Sequence, residues 1–162
     1  MTARRHGNQG FTLIELMITL AILAVLATLT IPPAQVAMQR TREQELRLAL
    51  REIRGALDSY KRAYETGRIA HTQGASGYPA TLAELVDGVT DQLDPKGGKL
   101  YFLRRIPADP WCPAASAEEL ERCWGKRSYA SPADDPREGE DIYDVYSRAE
   151  GVGLNGLPYR SW

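Results

Sequence analysis

One carboxylate, Glu15, stands inside an otherwise apolar run, FTLIELMITLAILAVLATLTI, from Phe11 to Ile31. Within a membrane helix such a group costs roughly 2.5–3.5 kcal/mol, and less near the interface, where a helix N-terminus favours negative charge. Two readings stay open: a glutamate that snorkels to the interface, or one whose charge meets a cation on another copy of the chain. Cys112 and Cys123 are the only thiols. In an extracytoplasmic domain they pair most readily as a disulfide closing a local loop, worth about 3 kcal/mol in the chain-entropy model. Free or metal-bound thiols are the alternative, although two cysteines without a nearby histidine supply too few ligands for zinc. His6 and His71 are the whole imidazole supply, which speaks against a histidine-rich metal centre or a Ser-His-Asp arrangement. His71 falls in a loop and reads as a surface residue.

Two further patterns invite chemistry and do not sustain it. Gly151-Val-Gly-Leu-Asn-Gly156 matches the dinucleotide fingerprint, but that fingerprint needs a following helix to hold a pyrophosphate. Only six residues follow Gly156, Pro158 among them, so a glycine-rich loop is expected. Asp134, Asp135, Glu138, Glu140, Asp141 and Asp144 offer hard oxygen ligands. Their spacing matches no EF-hand loop, and a solvated acidic connection is the expectation. No nucleophile–base pair or cofactor loop emerges, so an enzyme is not expected. With 25% charged residues and a net charge of −1, neither a nucleic-acid footprint nor a disordered chain is indicated.

The elements that position these residues begin with the apolar run. Its 21 residues carry one charge and neither glycine nor proline, and as a helix they would span about 32 Å, enough to cross a bilayer core. Arg4 and Arg5 precede it, which predicts a cytoplasmic N-terminus with the rest of the chain outside. A secretory signal would be shorter and cleaved after its apolar region. Pro32 and Pro33 are expected to break the helix, since proline removes a donor and clashes with the preceding turn. Helix periodicity resumes over Val36–Tyr64, with Leu46, Leu50, Ile53, Leu57, Tyr60 and Tyr64 as one apolar stripe. Arg40, Arg42, Glu43 and Glu45 lie before that stripe and either contact neighbouring subunits or are solvated.

The helix should fade near Gly67. Thr81-Leu-Ala-Glu84 is a capping-box pattern opening a short helix before Gly88. Arg127–Ala130 and Ile142–Ser147 alternate as strands do. The expected class is α+β: a long N-terminal helix, transmembrane in its first half, packed on a small antiparallel-sheet head. So small a head needs the helix to complete its core, and the two should fold as one unit.

Gly10-Phe-Thr-Leu-Ile-Glu15, the unbroken apolar helix and Pro32 together resemble the type IV prepilin signature. The resemblance implies cleavage after Gly10 by a membrane prepilin peptidase, which also methylates the new N-terminal Phe11. It further implies that Glu15 attracts the Phe11 ammonium of a neighbouring subunit and sets assembly register. Gln9 stands where Lys or Arg is usual. The implied organisation is a leader at 1–10, a transmembrane and polymerisation helix at 11–31, an amphipathic extension at 32–66 and an extracytoplasmic head at 67–162.

The head is similar to that of the major pseudopilins of type II secretion systems. The likeness rests on Gly77-Tyr-Pro79, Ile106-Pro-Ala-Asp-Pro-Trp111, Asp144-Val-Tyr-Ser147 and Trp162. It implies a structural subunit of a helical pseudopilus that drives protein export, held in the bacterial inner membrane with its head in the periplasm. The implied partners are copies of itself, prepilin peptidase, minor pseudopilins and an assembly platform with a cytoplasmic ATPase. A type IV pilus or DNA-uptake filament is the rival expectation; a membrane-anchored periplasmic enzyme or binding module is a third. The resemblance also implies calcium in an aspartate-rich C-terminal loop. Here that segment, Arg148–Gly156, offers only Glu150 and Asn155 as side-chain oxygen donors, so no cofactor is expected. The Cys112–Cys123 pair is the expected substitute clamp.

Overall fold

A computed structural model describes residues 11–162, except for the side chains of 28–33. The leader, with Arg4, Arg5, His6 and Gly10, lies outside the described residues. Helix α1 runs from Leu13 to Glu65 as one element. The break expected at Pro32-Pro33 does not occur. Each proline removes one intrahelical donor and costs a helix interior about 3 kcal/mol, but several turns on either side keep their own hydrogen bonds. The chain divides into two compact units, Met1–Gln39 and Arg40–Trp162, and α1 contributes to both.

In the second unit the predicted stripe is the buried face. Leu46, Leu50, Ile53, Leu57 and Tyr60 are buried, joined by Ala49, Ala56 and Ala63 where close packing needs small side chains. They form one cluster with Leu82, Leu85, Leu103, Ile106, Trp124, Ile142, Val145 and Tyr159. The helix ends where expected: Gly67 adopts φ of +75°, and its N–H bonds the Tyr64 carbonyl at 3.0 Å.

The next helix, α2 at Ala83–Asp87, starts with half of its expected capping box. Glu84 N–H donates to Thr81 Oγ1 at 3.4 Å, but the Glu84 carboxylate accepts from the Tyr60 hydroxyl at 3.3 Å. A complete box lies elsewhere, at the start of α3 (Ala117–Cys123), where Ser116 and Glu119 cap each other's backbone. Its S-x-x-E spelling was there to be read.

Among the described residues, four short strands make two antiparallel pairs. β1 (Val89–Thr90) pairs with β2 (Lys99–Leu100), and β3 (Trp124–Arg127) pairs with β4 (Asp144–Ser147). Register in the second pair places Trp124 opposite Ser147 and Arg127 opposite Asp144. The strand expected at Arg127–Ala130 is thus displaced, sharing only Arg127. Beyond it the chain turns toward Asp141, which takes Ser128 Oγ at 2.5 Å and the Tyr129 N–H at 3.1 Å. β4 likewise starts at Asp144, two residues inside the expected run, because Ile142 N–H bonds the Pro79 carbonyl at 2.8 Å.

Candidate functional site

At the N-terminal end of α1, Thr12 caps the helix. Its side-chain oxygen accepts from Glu15 N–H at 3.3 Å and its carbonyl from Leu16 N–H at 3.1 Å. Glu15 therefore sits at the third helical position, where unpaired backbone N–H groups favour a carboxylate. The signal for this cap, T-x-x-E, is spelled by Thr12 and Glu15 themselves. Phe11 and Glu15 are both exposed.

The turns that follow are apolar on every face. Leu13, Ile14, Leu16, Met17, Ile18, Leu20, Ile22, Leu23, Val25 and Leu26 are each more than half exposed. A helix that is apolar all round belongs in a lipid or protein environment. Among the described residues, no helix is long and apolar enough to cross a membrane. The described side chains of this run stop at Ala27, four residues short of Ile31.

In the second unit, the side chains whose types could do chemistry hold structure, as expected of the cysteines and of the glycine-rich loop. Cys112 and Cys123 form a disulfide with a Cα–Cα distance of 5.9 Å, which closes the segment that contains α3. His71 stacks on Tyr64 with ring centroids 4.2 Å apart, and its Nε2 lies 2.7 Å from the Tyr64 carbonyl. Gly151–Gly156 is a loop, closed by a bridge between Val152 and Pro158 and followed by a three-residue 3-10 turn, Tyr159–Ser161. Among the described residues no phosphate-binding helix follows it.

The acidic connection is not simply solvated. Asp141 accepts from the Ser76 hydroxyl as well as from Ser128 and Tyr129, and so ties two loops together. Burial raises its pKa, but these hydrogen bonds outweigh burial and hold the carboxyl below its usual range. Asp144 bonds Arg54 Nε at 2.7 Å and lies 3.4 Å from Arg127. Among the described residues no group of three or more His, Cys, Asp or Glu side chains is placed to hold a metal.

Two of the three head motifs, Ile106–Trp111 and Asp144–Ser147, converge with Trp162. Asp109, 2 % exposed, accepts from the Ser147 hydroxyl at 2.5 Å and from Trp111 N–H at 2.9 Å. Trp111, Tyr159 and Trp162 form a chain of ring contacts at 5.1 and 5.2 Å. Arg54 of α1 joins Asp144, the Val145 carbonyl at 3.0 Å and the Trp162 carbonyl at 2.7 Å.

Glu43 is the residue the sequence reading misplaced. It was expected in solvent or at a subunit contact, yet it is 5 % exposed. Its carboxylate accepts from Leu154 N–H at 2.8 Å and from the Tyr159 hydroxyl at 3.2 Å. The signal was its place on the stripe, three residues before Leu46 and seven before Leu50.

A capped, all-apolar helix with a carboxylate in its first turn, continuing into a small disulfide-closed head, defines a pilin-like protein. In agreement, residues 5–31 match the family model described as the prokaryotic N-terminal methylation motif. Among curated proteins, the chain is 30% identical over 112 residues to the type II secretion system core protein G of Klebsiella michiganensis, covering 67% of this chain and 71% of the relative. The protein of that name from Pseudomonas aeruginosa is 31% identical, with the same coverage. The one from Escherichia coli K12 is 31% identical over 64% of this chain and 67% of the relative. The chain belongs to this family, the type II secretion system core protein G pseudopilins. No solved structure matches it.

Proposed function

We propose that the chain is a structural subunit of a type II secretion pseudopilus, cut after Gly10 and assembled into a helical filament that drives protein export. The observation that carries this reading is the N-terminal half of α1: apolar on all faces, with Glu15 exposed in its first turn. Such a surface is stable only in lipid or against like surfaces, and a membrane-stored, polymerising subunit needs both. The family relationship supports the secretion role over a pilus or DNA-uptake filament, since the relatives carry that system's name.

The role is structural and no catalysis is proposed. Phe11 becomes the methylated N-terminus, and its ammonium meets the Glu15 carboxylate of a neighbouring subunit. Pairing removes a desolvation cost that neither charge escapes alone. Before assembly the subunit lies in the inner membrane, crossing it once through Phe11–Ile31, with the leader cytoplasmic and the head periplasmic. Its partners are further copies, a prepilin peptidase, minor pseudopilins, and an assembly platform with its ATPase.

Co-expression with a prepilin peptidase tests the processing step. Intact mass should show the chain shortened by residues 1–10 with a methyl group on Phe11. A full-length chain after co-expression would refute it.

A further inference from the structure

The family resemblance implies a calcium ion in the loop after β4, and the donor set of this chain does not fit one. Asn155 Oδ1 already accepts from Leu157 N–H at 3.1 Å, and Glu150 is exposed. The nearby carboxylates are engaged by protein donors: Asp109 by Ser147 and Trp111, Asp144 by Arg54 and Arg127. Two backbone oxygens in this corner, of Val145 and Trp162, accept from Arg54.

What surrounds the loop is cationic and donor-rich. Arg47 lies over the Trp162 ring at 4.4 Å, Arg42 over the Trp111 ring at 5.1 Å. The indole N–H groups of Trp111 and Trp162 are buried without an acceptor. Hard cations need oxygen lone pairs turned toward one point; this corner presents guanidinium groups and N–H donors.

The loop is held from α1 instead. Glu43 Oε1 takes the Leu154 N–H and the Tyr159 hydroxyl, and Arg54 takes the Trp162 carbonyl. Within the loop, Gly153 N–H bonds the Leu157 carbonyl at 2.9 Å. A side chain at Gly153 would run into the Trp162 ring, so the glycine lets the loop close on it. The disulfide closes a different segment, residues 112–123, and the clamp expected of it falls to α1. We infer that Glu43 and Arg54 form a built-in clamp on the C-terminal loop of this pseudopilin and that the loop is ordered without calcium.

This inference is independent of the filament role and is tested on the full chain in detergent, by amide hydrogen exchange and calcium titration calorimetry. Exchange at Leu154 should be the same in EGTA and in several millimolar calcium, a level that saturates most extracellular calcium modules, and no saturable heat should appear. Glu43→Ala should speed Leu154 exchange roughly tenfold or more, because a half-exposed N–H loses the side-chain oxygen that holds it, while exchange at Ile53 holds. Glu43→Gln keeps an acceptor oxygen of similar reach, guards against a folding failure of the alanine variant, and should fall between the two. Saturable calcium binding, chelator-dependent exchange at Leu154, or unchanged Leu154 exchange in Glu43→Ala would each overturn it.

Discussion

At the scale of single residues, three carboxylates with similar intrinsic chemistry do different things because their surroundings differ. Glu15 is exposed beside a helix N-terminus, Glu43 is buried under a loop, and Asp141 joins two loops. For Glu15, substitution by alanine should spare processing, because the cleavage site is untouched, and should impair polymerisation. Intact mass and filament yield in the same cells measure the two effects, and normal filaments would remove the proposed pairing with Phe11. Asp141 makes a separate prediction. Its folded pKa is depressed, so its stabilising contribution is complete above the unfolded carboxyl value near 4 and is lost as pH falls through the lower folded value. Asp91 behaves alike, its carboxyl lowered chiefly by the hydrogen bond from Arg68. Thermal unfolding should therefore be flat from about pH 7 to pH 5 with respect to these groups and fall below about pH 4. Asp141→Asn should be less stable at neutral pH and show a shallower acid limb; an identical limb would contradict the role given to Asp141.

At the scale of elements, reduction of Cys112–Cys123 is the informative perturbation. The bond ties the end of α3 to the loop that follows Asp109, and a loop of this length corresponds to about 3 kcal/mol in the chain-entropy model. Reduction should lower the melting temperature of the chain measurably, and an unchanged value would show that the disulfide carries no stability. The elements also show what was legible beforehand. The α1 stripe could be read because five consecutive members, Leu46 through Tyr60, obey one period, and a long period averages out local exceptions. The strands could not be placed to the residue, because each is two to four residues long. Their ends are set by distant side chains, such as Asp141 capturing Ser128 and Tyr129. The helix through Pro32-Pro33 shows the reverse error: a local rule about proline was applied where a long helix overrides it. Glu43 was misplaced because polarity was weighed above position on the stripe.

At the scale of the whole molecule, the two halves of α1 have opposite requirements. From Leu46 onward the helix buries one face in the cluster it shares with α2, β3, β4 and the final turn; from Leu13 to Leu26 its large apolar side chains are more than half exposed. That asymmetry is what a subunit needs if it is to be folded before it is assembled. The N-terminal motif was legible from residue order, because its residues are contiguous and 5–31 match one family model; Gly10 itself lies outside the described residues. The convergence of Asp109, Ser147, Arg54 and Trp162 was not, because those contacts join residues 38 to 108 positions apart. The central claim, a subunit of the secretion pseudopilus, is tested most directly by deleting the gene in its host and comparing proteins in the culture medium and periplasm, with surface pili and DNA uptake scored in parallel. The account expects a set of folded exoproteins to vanish from the medium and accumulate in the periplasm while pili and DNA uptake persist. An unchanged set of secreted proteins, with pili or DNA uptake lost, would contradict it.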